Sequence, residues 1–226
     1  MKKFLSIAAF MLFTICSAHA VEGRLGVTLK AGYFEADNAS EIFSGAHSSG
    51  ASPGTVTKQA SGEGDVAEGE FGYGSIFAEV MANDKIGIGI NYVPMALESE
   101  TTENVQKTTI AAKSTVTNKV QIDFEELTTL YVALNVTDNM YIKAGMVTVD
   151  VITNESLGTG STYGNTDLDG TQIGFGINNE FGNGMFIRAE GSYMTFDGAS
   201  LSSNDNKITL SNLDGLSGKL AIGRSF

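Results

Sequence analysis

Apolar residues occupy every second position through eight separate segments of the chain, with polar or small residues between them. This is the two-residue period of a β-strand that shows a different environment to each face. In 24–35, Leu25, Val27, Leu29, Ala31 and Tyr33 alternate with Gly26, Thr28, Lys30 and Gly32. In 70–82, Gly74, Ile76, Ala78 and Val80 oppose Ser75, Phe77 and Glu79, while Phe71 and Tyr73 lie on the polar parity. The segment 85–95 sets Ile86, Ile88, Ile90 and Tyr92 against Gly87, Gly89 and Asn91, and Pro94 marks where pairing stops.

The longest segment is 119–136, where Val120, Ile122, Phe124, Leu130, Val132, Leu134 and Val136 share one parity across Glu126 and Thr128. A carboxylate at mid-bilayer is costly, so 130–136 is placed in the apolar phase and the earlier half is expected to project as an arm. In 140–153 the apolar parity switches from Met140, Ile142, Ala144 and Met146 to Val147, Val149 and Val151, the mark of a bulge or of an exit from the bilayer. The segments 170–181 and 185–196 repeat the alternation. The last, 207–226, has an expected kink at Asp214-Gly215 and ends on Phe226.

Connections between segments alternate in length. Asn83-Asp84, Asp138-Asn139 and Gly182-Asn183-Gly184 are tight turns, whereas 36–69, 96–118, 154–169 and 197–206 are polar and longer. The expected fold is therefore all-β, an eight-stranded antiparallel up-and-down transmembrane β-barrel with short periplasmic turns and long extracellular loops. A soluble eight-stranded barrel is the competing reading, and the charges argue against it. Lys30, Lys143, Arg188, Lys219, Glu79, Glu180 and Glu190 all lie opposite the apolar parity. With the apolar face toward lipid, they point into the lumen and must pair there. Tyr33, Tyr92 and Tyr193 fall near the loop ends and Phe181, Phe186 and Phe226 near the turn ends, the expected aromatic girdles.

The first twenty residues add a cellular address. Lys2 and Lys3 precede the apolar run 4–15 and the small-x-small triplet Ala18-His19-Ala20, the layout of a secretory signal peptide. Residues 1–20 are expected to leave, giving a barrel domain over 21–226 without the single cysteine, Cys16. The net charge of −12 becomes more negative when Lys2 and Lys3 go, which argues against a nucleic-acid partner.

The signal-peptide layout, eight segments, alternating loops and terminal Phe226 together resemble the small bacterial outer-membrane barrels, the OmpA-type transmembrane domain and the opacity-protein group. Arg224 departs from the terminal pattern, where the family more often carries an apolar residue. The chain ends with the eighth segment, so no peptidoglycan-binding domain is expected. The resemblance implies an outer-membrane location, contact with lipid and lipopolysaccharide, insertion by the barrel-assembly machinery through the strand ending at Phe226, and a monomer.

The expected function is structural and surface-interactive, adhesion or shielding carried by the loops. The alternative is a small or gated pore for polar solutes. A lipid-A-modifying enzyme has one candidate histidine, His47, beside Ser48 and Ser49, with no assignable third partner, so no catalytic residue and no cofactor are expected. Loop acids Glu63, Asp65, Glu68, Glu70, Glu155, Asp167 and Asp169 are either solvated or recruit divalent cations that bridge to lipopolysaccharide. Their spacing is not that of a dedicated calcium loop, and no metal site is assigned.

Overall fold

A computed structural model describes residues 22–36, 38–44, 54–60, 67–107, 115–159, 162–204 and 206–226. Residues 1–20, expected to be a signal peptide, and His47 with its two serines, Glu63 and Asp65 lie outside the described residues. In chain order the strands are β1 (Gly23–Ala36), β2 (Ala39–Phe43), β3 (Val56–Ala60), β4 (Ala67–Met81), β5 (Ile86–Tyr92), β6 (Leu97–Glu98), β7 (Thr102–Lys107), β8 (Thr115–Asn135), β9 (Met140–Leu157), β10 (Thr166–Glu180), β11 (Met185–Phe196), β12 (Ala199–Ser202), β13 (Asn206–Leu210) and β14 (Leu213–Ser225). Eight of them pair antiparallel in the order β5, β4, β1, β14, β11, β10, β9, β8, and β5 pairs back onto β8. The sheet closes, so the barrel proper has no free edge.

The expected inversion of faces is present. Leu29 and Met146 are each 71% exposed and Leu220 62%, whereas Arg24, Lys30, Lys143, Arg188, Glu79 and Glu190 are buried inside. On β1 the exposed aliphatic row from Leu25 to Tyr33 covers roughly 26 Å of strand. At the usual tilt of about 40° that is roughly 20 Å along the membrane normal, near the ~25 Å apolar band of such barrels. The strands run long because only a full-length ladder satisfies each backbone amide in hydrocarbon.

Four expectations need correction. The stretches 36–69 and 197–206 are not simple loops, because β2, β3, β12 and β13 form a four-stranded sheet in the order β12, β13, β2, β3, which also takes 207–210 out of the last barrel strand. In 96–118, β6 and β7 pair with the upper part of β8. The last segment breaks at Ser211 and Asn212, separating β13 from β14, and Asp214-Gly215 stays within a continuous ladder. Finally, the parity of 119–136 does not hold through the strand.

A register shift in β8 between Glu125 and Thr128, with Glu126 at φ 54°, inserts one extra residue opposite β9. The insertion flips every side chain above it. Below the bulge Leu130, Val132 and Leu134 face out; above it Ile122 and Phe124 pack inward against the core. β9 carries no bulge and keeps its phase, so the parity switch at Val147 is chemical: its apolar residues move from the lipid face to the interior as the strand leaves the bilayer.

Candidate functional site: a layered lumen beneath a loop-end storey

The barrel interior is stacked in layers. Nearest the turns, Glu79 on β4 is only 2% exposed and is clamped by Arg188 on β11, whose Nη1 and Nη2 donate to its two oxygens at 3.0 and 2.7 Å. The fork of a guanidinium matches a carboxylate, and this bidentate geometry is what lets an ion pair survive burial. Tyr131 on β8 donates its hydroxyl to Glu79 at 3.1 Å, and Arg24 on β1 approaches at 3.5 Å. Arg24 also donates to Glu22 at 2.6 Å and to Glu180 at 2.7 Å at the mouth of the barrel. The Arg188 guanidinium lies 4.8 Å from the centre of the Phe186 ring, 5.4 Å from that of Tyr141 and 5.6 Å from that of Phe77. Aromatic faces thereby share the cationic charge.

One layer higher, Glu190 on β11 accepts from Lys143 on β9 at 2.5 Å, Lys219 on β14 at 2.7 Å and the Tyr141 hydroxyl at 2.8 Å. Small residues make room for these bonds. A Cβ at Gly89 would overlap the Tyr131 ring, and one at Gly176 would overlap the Tyr141 ring. Lys30 lies at the top of this layer, with Nζ 3.4 Å from Met194 Sδ and 5.9 Å from the centre of the Tyr73 ring.

Above Lys30 the interior turns apolar. Tyr73, Val93, Leu127, Val147, Val149, Val151, Leu168, Met194 and Phe196 form one buried cluster, with Phe34, Phe71, Ile122 and Phe124 packed against it. The ambiguous Phe71 and Tyr73 belong here.

The loop-end storey has a polar centre of its own. Glu41 on β2 accepts from the Tyr163 hydroxyl at 2.7 Å and from the side-chain amides of Asn104 on β7 and Asn206 on β13. Gln106 and Asn206 exchange amide bonds at 3.1 and 2.7 Å. Burial and the bond to Glu41 push the Tyr163 hydroxyl well above its usual pKa. These contacts join β2 and β13 to β7 and to the segment after β9, residues far apart in sequence.

All seven expected charges are thus placed. Six sit inside the barrel and pair as described, except that Lys30 takes a thioether and a ring. Glu180 is at the mouth, its side chain 43% exposed. Tyr33, Tyr193, Phe181 and Phe226 are exposed on the outer wall and Tyr92 is partly exposed. Phe186 is a correction: it is 0% exposed and points into the lumen against Phe77. Its parity, two positions from Arg188, gives this inward direction, which its nearness to the turn obscures. Arg24 and Tyr131 were missed, although Arg24 shares the parity of Lys30. Of the loop acids described, Glu68, Glu70, Asp167 and Asp169 are exposed, while Glu155 accepts from the Tyr163 backbone amide at 2.9 Å. Among the described residues no three acids, histidines or cysteines are grouped to hold a metal ion.

A closed antiparallel sheet with an aliphatic exterior and its ions sealed inside has one stable setting. The chain is an eight-stranded transmembrane β-barrel of the outer-membrane type.

Comparison with protein-family models and with characterised sequences finds no match. Among solved structures, the barrel is similar to the outer membrane protein OprG from Pseudomonas aeruginosa, at 12% identity and TM-score 0.45 over 92% of this chain and 96% of that one. It is similar to Ail, the attachment invasion locus protein of Yersinia pestis, at 12% identity and TM-score 0.38 over 90% and 99%. It is also similar to the outer membrane protease OmpT from Escherichia coli, at 8% identity and TM-score 0.46 over 93% and 99%.

Proposed function

We propose that this barrel is a closed anchor in the bacterial outer membrane whose work is done outside the cell, by the storey of strands that rises above the aliphatic belt. Surface interaction, as adhesion or shielding, is the role this arrangement suits. The observation that carries the reading is the consecutive burial across the lumen of Phe186, Glu79, Glu190, Met194 and Val147, contributed by β11, β4 and β9. Side chains that fill every level from turn end to loop end leave an eight-stranded tube its expected packed interior. A rigid barrel that does not transport is a platform, and its loops are where binding sits.

The ion pairs plug the lower half and the apolar cluster plugs the upper. Lipid and lipopolysaccharide contact the belt, the strand ending at Phe226 presents the chain to the barrel-assembly machinery, and the protein acts as a monomer without nucleic acid. The test has two arms. Purified protein in planar bilayers is expected to show no steady openings, and large stable conductance would transfer the function to the lumen. Cells producing a variant with 39–60 and 199–210 replaced by short turns are expected to retain a heat-modifiable barrel in the outer membrane. They should lose adherence to host-cell or matrix surfaces; undiminished adherence would remove the surface role.

A further inference from the structure

The middle of the lumen holds more positive charge than its acids balance. Lys30 and Lys219 stand directly opposite each other on β1 and β14, and Glu190 is opposite Lys219 on β11. Lys143 reaches the same carboxylate from β9. Three ammonium groups therefore surround one carboxylate inside the membrane, where like charges on adjacent strands repel most strongly. Glu190 is already engaged on both oxygens by Lys143, Lys219 and Tyr141. Glu79, in the layer below, is engaged by Arg188, Tyr131 and Arg24. The other acids bonded to Arg24, Glu22 and Glu180, have side chains 42% and 43% exposed, so water at the mouth weakens their reach inward.

Lys30 is the residue left over. It is buried, forms no ion pair among the described residues, and gives its three donors only a thioether and an aromatic face. A lysine so placed either gives up its proton or takes an anionic partner that no side chain provides, and the second course keeps its three donors in use. We propose that the lysine layer of Lys30, Lys219 and Lys143 binds one small monovalent anion of halide size, chloride in the cell.

Sign and size both follow from the surroundings. Three buried cations against one saturated carboxylate select an anion. Met194 and Tyr73 meet Lys30 from the loop side and the hydroxyl pair Thr28 and Ser75 lies one row nearer the turns, with Asn91 donating to Ser75 at 2.9 Å, so in a lumen filled with side chains a monatomic anion displaces least. Ser192 and Ser217, one row above Glu190 and Lys219, bond to each other at 2.9 Å and add polar lining. The ion is a structural counter-charge captured as the barrel closes. It does not depend on the surface role, and bilayer recording tests that role without bearing on the ion.

The experiment follows unfolding of the purified, membrane-reconstituted protein in sodium chloride, sodium bromide and sodium gluconate at one ionic strength. Chloride and bromide are expected to raise the midpoint saturably over gluconate, and Lys30→Met, which keeps length and contact with Met194, is expected to make the three salts equivalent. Equal midpoints for the wild-type protein in all three salts would overturn the proposal, as would Lys30→Met retaining the full halide response. Should Lys30→Met fail to fold, crystals of wild-type protein grown in bromide decide: anomalous density against Lys30 Nζ supports the site, and density confined to surface lysines such as Lys85 and Lys119 refutes it.

Discussion

Glu79 shows how much one buried carboxylate controls. Replacing Glu79 by Ala leaves the guanidinium groups of Arg188 and Arg24 without their shared partner. Orphaning a buried charge costs about 3–5 kcal/mol. Urea unfolding in lipid vesicles should show a loss of that order, and Glu79→Met with Arg188→Met should recover much of it, because Arg188 is gone and Arg24 keeps Glu22 and Glu180. A double variant as unstable as the single one would mean that the layer is held by something other than charge pairing. Phe186 makes a second residue-scale case, since its ring is sealed against Phe77 and the Arg188 guanidinium. Phe186→Ala should cost about 3–5 kcal/mol in the same assay, whereas a girdle residue facing lipid would cost far less. The inward direction of Lys30, Glu79, Lys143, Arg188, Glu190 and Lys219 was legible from parity alone. Their partners were not, because which lysine meets which glutamate depends on strands that neighbour only after closure.

At the scale of elements, the bulge in β8 divides the molecule into two storeys. Glu126 sits at positive φ, which costs a residue with a Cβ about 1–2 kcal/mol relative to glycine. Glu126→Gly should therefore stabilise the protein by up to about 1 kcal/mol, read as a higher unfolding midpoint. Deleting Glu126 has the opposite consequence. It would turn Ile122 and Phe124 outward and Asp123 inward, so proteolysis should cut the loop-end strands while the lower barrel stays heat-modifiable. The Glu41 centre adds a pH dependence. The folded pKa of Tyr163 is raised, so its contribution is intact below the ordinary tyrosine value and falls as pH rises through about 10 and beyond. Wild-type loop-end strands should become more protease-sensitive in that range, and Tyr163→Phe should flatten the change. Sequence reading found the arm of β8 but not the bulge, since an apolar alternation looks unbroken when one extra residue is followed by a change of environment.

For the whole molecule, the chain uses two solvents at different heights. Its strands face hydrocarbon outside and ions inside over the belt, then water outside and aliphatic side chains inside above it. The exchange at Val147 on β9 marks the boundary. The upper half resembles a water-soluble core set on a membrane anchor, so the two halves should respond differently to detergent. Removing lipid should affect the belt first, and the variant with 39–60 and 199–210 replaced by short turns should give a monomeric, heat-modifiable barrel that stays closed to ions. The strands β2, β3, β12 and β13 are only four or five residues long, too short to show a sustained alternation, and pair across most of the chain length, β2 with β13 above all. No local period announces such a sheet.

What the sequence alone determined was the set of membrane strands, the side of each that meets lipid, and the identity of the charges kept from it. A two-residue period is a local property, and the penalty for ions in hydrocarbon gives it direction. Tertiary structure alone decided the closing order, the phase reversal at Glu126 and the excess of lysines around Glu190. Each of these is a relation between distant segments, fixed only when the sheet closes on itself.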